Sequence, residues 1–156
     1  MSIYVTAKPS LPRIAEEDWL HLLDALALRS STAQPAEQRE CLADLAQLLS
    51  FAPRQAALAG IEVPGEAQLE AMIAASACAS AALAFLSAET GYLISRSAAG
   101  HHLASLAMPG RSDEVTAGGR SAALAIIGAL CLALFDTNAD ILAGPMPSGA
   151  AGQIFP

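Results

Sequence analysis

The chain has 156 residues, the length of about one domain at ~150 residues each. Hydrophobic residues make up 54% of it and charged residues only 15%, against roughly 25% charged in an ordinary globular domain. That balance excludes intrinsic disorder, which needs low hydrophobicity with high charge, and a solvated coiled coil built from Glu, Lys and Arg.

The charge is acidic: 8 Lys+Arg stand against 15 Asp+Glu, a net −7. An acidic surface opposes the phosphate-neutralising footprint of a nucleic-acid binder, so no nucleic-acid partner is expected. Cys41, Cys78 and Cys131 are odd in number and widely spaced, each within an apolar helical stretch, and no C-x-x-C occurs. They read as reduced core thiols of an intracellular, cytoplasmic protein. Met1–Val5 lacks the charged-then-apolar layout of a signal peptide.

Residues 1–10 read as an extended lead-in. A first helix is predicted from Pro12 to about Ala27, with Ile14, Trp19, Leu22, Leu23 and Leu26 at helical spacing and Glu16, Glu17 and Asp18 near its start. Trp19, among leucines, belongs to a core rather than a stacking platform. After a connector over 29–34, a second helix starts near Pro35 and carries Cys41, Leu42, Leu45, Leu48 and Leu49 until Pro53 breaks it. A short helical turn closed by Gly60 should follow, then a loop marked by Pro64-Gly65.

A third helix is predicted from about Glu66 to Ser87. From Ala71 to Ala88 it has no charge and is crowded with Ala and Ser. A helix apolar on every side belongs in a core, an oligomer interface or a membrane. Ala and Ser drive membrane insertion weakly, and the other apolar run, 122–135, has core-helix length. The expectation is a soluble protein with no membrane partner, membrane association being the minor alternative.

Three short segments separated by Gly or Pro then suggest an antiparallel meander: Tyr92–Arg96, His102–Met108 and Asp113–Ala117. A last helix runs from about Arg120 to Phe135 and ends at Asp136-Thr137-Asn138. From Gly144 the tail is too rich in Gly and Pro for regular structure. The fold class is therefore α+β: a helical N-terminal half, a small three-stranded antiparallel meander and a C-terminal helix, in αα-αβββα order. An all-α arrangement is the alternative. One domain spans 1–156, divided into a helical segment over 1–60, an α-βββ-α unit over 61–143 and an irregular tail over 144–156. Over 91–135 the order resembles that of double-stranded RNA-binding domains. The lysines such domains place at the start of the last helix are replaced here by Ser121-Ala122-Ala123-Leu124, so the resemblance implies an order of elements and no function.

Candidate chemistry gathers in the meander. His101-His102 would face opposite ways on a strand, and a zinc site would need further ligands; only Asp113 and Glu114, brought back by a folded hairpin, offer any. Asp136–Asp140 imitates the start of a calcium loop, but Ile141 and Pro147 occupy the positions that require Gly and Glu. Gly118-Gly119-Arg120-Ser121 would present free N–H groups and a cation at a helix start, a low-specificity anion signal. No nucleophile elbow occurs, and thiols in apolar helices are poor nucleophiles. The candidate ligand-binding set is thus His101, His102, Arg111, Gly118, Gly119, Arg120 and Ser121, with no catalytic residue, no metal set and no cofactor.

Two function classes follow. The first, preferred, is a non-catalytic homo-oligomeric interaction or assembly module, since a chain this apolar has few polar residues with which to cover a monomer. The second is a small-ligand or anion binder, or a modest enzyme, using the region 91–121.

Overall fold

The longest apolar stretch becomes the centre of the molecule. In the computed structural model, which describes residues 12–142, helix α5 (Ala122–Leu142) lies between a three-stranded sheet and a layer of helices. The lead-in expected over 1–10 and the tail expected from Gly144 lie outside the described residues. Leu124, Ile126, Ile127, Leu130, Cys131 and Leu134 of α5 are buried. α5 is the one described helix long and apolar enough to cross a membrane, and about two-thirds of it is covered by the fold itself.

Helix α1 (Glu16–Thr32) starts four residues later than the pattern from Pro12 suggests, with Glu16, Glu17 and Asp18 in its first turn and Arg29 in its last, as the helix dipole favours. It also outlasts Ala27: the hydroxyls of Ser30, Ser31 and Thr32 donate back to carbonyls of Leu26 and Leu28 and so carry the polar end of the helix. Ser30 is fully buried against α5, opposite Gly128, where an added Cβ would meet the Ala117 Cβ at 3.4 Å and the Ser30 Cβ at 3.7 Å. Gly128 weakens the helix locally by about 1 kcal/mol relative to Ala, and its missing side chain admits α1 on one side and the sheet on the other.

A 3₁₀ turn (Pro35–Glu37) leads into α2 (Gln38–Ser50), whose buried face is the predicted set Cys41, Leu42, Leu45, Leu48 and Leu49. Trp19 is a core residue, as expected: it is fully buried, and its Nε1 donates to the Leu48 carbonyl at 2.8 Å, joining α1 to α2. Arg29 adds ion pairs of 2.7 Å to both Glu40 and Asp44. All three cysteines are buried and unpaired.

The helical turn predicted after Pro53 does not form; residues 51–64 make isolated turns. Gly60 closes this stretch at φ +88°, where a Cβ would collide with Thr90 and Pro109, and its carbonyl accepts from both the Thr90 hydroxyl and the Ser87 amide. The single third helix is also corrected. It is two helices, α3 (Glu66–Ala74) and α4 (Cys78–Leu83), parted at Ser76 with φ +58°. The Ala77 amide reaches back to the Met72 carbonyl and the Ser76 amide to that of Ile73, the paired bonds of a Schellman stop. Ser occupies the position where Gly would have announced it.

The meander forms as predicted. Strands β1 (Gly91–Arg96), β2 (His102–Ala107) and β3 (Glu114–Gly119) are antiparallel in the order β1-β2-β3. The fold is α+β, five helices and three strands among the described residues. The last helix does not end at Asp136-Thr137-Asn138. α5 continues through it, because Asn138 is fully buried and spends its amide on the loop below. The Ala57 amide donates to Asn138 Oδ1 at 2.6 Å, and Nδ2 donates to the carbonyls of Ala57 and Leu134.

Candidate functional site

The sheet register decides which predicted site residues meet. His102 pairs with Gly119 across β2–β3 and with Arg96 across β1–β2, so these three form one row at the hairpin end of the sheet. Gly118, Arg120 and Ser121 lie beside that row at the start of α5. His101 is exposed in the β1–β2 turn, where its amide donates to the Ser97 hydroxyl. His102 is half-buried on the helix-facing side of the sheet. The two histidines therefore do not converge.

Arg111 belongs to the other end. It sits in the β2–β3 turn, and its guanidinium donates to Thr137 Oγ1 at 3.2 Å on the second half of α5. Glu114 opposes Ala107, five residues along β3 from Gly119, which is roughly 17 Å at strand rise. The hairpin thus carries Asp113 and Glu114 away from the histidines, and the carboxylate supplement considered for a metal does not form. Among the described residues, no three His, Cys, Asp or Glu side chains gather as a metal set.

Three of the groups left together at the hairpin end, Ser121, Gly119 and Gly118, have structural contacts. The Ser121 hydroxyl accepts from the Leu124 amide at 3.1 Å and caps α5. Gly119 is buried because α5 starts on top of it: a Cβ there would stand 2.8 Å from the Ala125 nitrogen and 3.1 Å from Leu124 Cβ. Gly118 faces the opposite side of the sheet, over Leu103. Arg120 is exposed.

A different surface emerges on the sheet itself. α5 packs on β2 and β3, so the side chains alternating toward it are buried in β2 (Ala104, Leu106) but not in β1, where Tyr92 remains 54% exposed. The opposite face carries Leu93, Ser95, Leu103, Ser105, Ala107, Thr116 and Gly118, with Glu114 its one charge, at a corner. Leu93 is 69% and Leu103 48% exposed there. The Ser105 and Thr116 hydroxyls bond each other at 2.7 Å, so part of the polarity of this face is spent internally. Among the described residues, strand β1, Gly-Tyr-Leu-Ile-Ser-Arg, is thus an edge strand with exposed side chains on both faces. The pattern was available in the sequence, since Tyr92 and Ile94 are strong strand formers and residues 92–95 carry no charge, but exposure depends on where α5 lands.

Shallow apolar hollows flank α2. One of about 360 Å³ lies between α1 and α2 and is lined by Leu22, Leu26, Leu48 and Phe51. Another of about 450 Å³ lies between α2 and α3 and is lined by Val63, Leu69 and Ile73. Neither contains a residue of the candidate set. A scan of protein-family models, and searches of curated proteins and of solved structures, find no match to this chain.

Proposed function

We propose that the chain is a non-catalytic, homo-oligomeric assembly module that works in the cytoplasm, with neither nucleic acid nor membrane as partner. The observation that carries this reading is strand β1, exposed on both faces with Tyr92 and Leu93 in the open. A clustered apolar surface on an edge strand, one side of which has no partner among the described residues, is one that soluble proteins cover, because it invites pairing with another chain.

The dispersal of the polar groups supports the same reading. Arg111, Asp113 and Glu114 stand at one end of the sheet and His102 and Arg120 at the other. A ligand reading would rest on the hairpin end alone, where Ser121 already serves as a cap and Gly119 as a packing position. Of the described arginines on the sheet, Arg96 and Arg120 stand at the hairpin end and Arg111 at the other, a thin positive surface for a phosphate backbone or an anionic membrane. Burial of most of α5 inside the fold supports a soluble protein.

Native mass spectrometry on detergent-free protein at micromolar concentration tests the proposal. A defined multimer of the 15.9 kDa chain is expected. A strict monomer rejects the assembly reading, and a bound small molecule on that monomer would favour the ligand reading instead.

A further inference from the structure

We infer that the free edge of β1 pairs antiparallel with β1 of a second copy, about a two-fold axis through Ile94, to give one six-stranded sheet across a dimer. This rests on the assembly reading above and names its surface and partner.

The hydrogen-bond phase of the hairpin fixes which groups are free. The Ser97 amide donates to the His101 carbonyl at 2.8 Å, so the alternating pairs 95↔103, 93↔105 and 91↔107 turn their backbone groups toward β2. Tyr92, Ile94 and Arg96 therefore present their N–H and C=O groups outward. Among the described residues none of these six groups has another partner. The opposite edge, β3, offers Glu114, Thr116 and Gly118 in the same way, but it carries a charge and a Gly-Gly end, and α1 packs beside it. β1 has no proline and no charge before its last residue.

Only certain registers join outward groups to outward groups, because opposed residues on antiparallel strands must both face the new partner. Centring on Leu93 would set Arg96 against residue 90, yet Thr90 is buried, with its amide bonded to the Ser87 carbonyl and its hydroxyl to that of Gly60. Centring on Ser95 would set Tyr92 against residue 98, within the hairpin turn. Centring on Ile94 engages all three outward residues on both chains.

That register is also complementary in side chains. Opposed residues share a face, so Tyr92 meets Arg96 of the second copy, and the relation is repeated by symmetry. Both side chains are exposed, and Arg96 has no ion pair among the described residues. A guanidinium laid on an open tyrosine ring is an attractive pair. Ile94 meets its own copy on the same face, and Leu93 meets Ser95 on the other. Parallel pairing would instead set Arg96 beside Arg96. A two-fold contact of this kind closes on itself, so it yields a dimer rather than a filament.

The test uses the full chain and two variants. Ile94→Pro removes an outward N–H and blocks the new ladder while taking no bond from the β1–β2 hairpin. It is expected to convert the dimer to monomer, with dissociation at least tenfold more favourable by analytical ultracentrifugation and an unchanged far-ultraviolet circular dichroism spectrum. Leu93→Cys/Ser95→Cys checks the register without risk to the backbone. Its non-hydrogen-bonded 93↔95 pairs come within disulfide reach between copies, so mild oxidation should give a covalent dimer that Leu93→Cys alone does not give. A multimer that survives Ile94→Pro and fails to cross-link through 93 and 95 overturns β1 pairing and leaves the assembly reading standing. A wild-type chain that stays monomeric overturns both.

Discussion

Asn138 shows how one side chain can stand in for a strand. Its carboxamide accepts from the Ala57 amide and donates to the Ala57 carbonyl, so the helix offers the loop the same donor and acceptor that a neighbouring backbone would. The remaining N–H is used by the Leu134 carbonyl, and no buried side-chain nitrogen or oxygen among the described residues is left without a partner. Asn138→Ala would strand the Ala57 amide in a half-buried site and open a void beneath it. A stranded buried donor costs about 1–3 kcal/mol, and with the void added the variant should lose about 3 kcal/mol in a urea titration. A loss below about 1 kcal/mol would mean that water satisfies the loop equally well. This residue reads from sequence as the end of a helix, because Asp, Thr and Asn are turn formers. Only the fold, by bringing residues 57 and 138 together, gives the amide a better use.

At the level of elements, periodicity recovered what is repeated and missed what is decided by a single backbone conformation. The apolar faces of α1 and α2, the three strands and the core of α5 were legible, since each repeats every two or every three to four residues. The break between α3 and α4 was not, because helix stops are read from Gly, and here Ser76 takes the left-handed conformation. The candidate site was legible only in part for a related reason. Residues 101–121 are close in sequence, but an antiparallel hairpin sends its two ends apart, so Arg111 and Arg120 finish at opposite ends of β3. The Ser76 stop yields a prediction of its own. The left-handed region disfavours any residue with a Cβ by about 1–2 kcal/mol, and Ser76 is exposed with its backbone already in the stop geometry. Ser76→Gly should therefore stabilise the chain by about 0.5–1 kcal/mol, part of the relief being offset by the freer unfolded chain. A raised urea midpoint with unchanged slope would show it; a lowered midpoint would mean that α3 and α4 do not part there.

Over the whole molecule, the cysteines report on a core shared by all layers. Cys41 lies on α2, Cys78 on α4 and Cys131 on α5, and each is buried. Because α5 packs on α1 as well as on the sheet, the N-terminal helices and the sheet bury one another across it. This burial ties stability to alkaline pH. Desolvation pushes the Cys131 thiol well above its ordinary value of 9.0. The Cys41 thiol is raised for the same reason, partly opposed by the charge of Arg29. Folded chains then hold protons that unfolded chains release once the pH passes 9.0, so the stabilisation is whole below that value and falls as pH rises above it. Each thiol kept fully protonated by folding contributes a slope of about 1.4 kcal/mol per pH unit. The urea midpoint should be flat between pH 7 and 8 and drop between pH 9 and 10.5. Other groups titrate in that range, so the decisive comparison is Cys131→Ala, which loses stability at every pH through its cavity but should show a shallower alkaline fall. Equal slopes in the two proteins would refute the linkage, and would mean that the centre of the molecule admits water to α5 despite its packing.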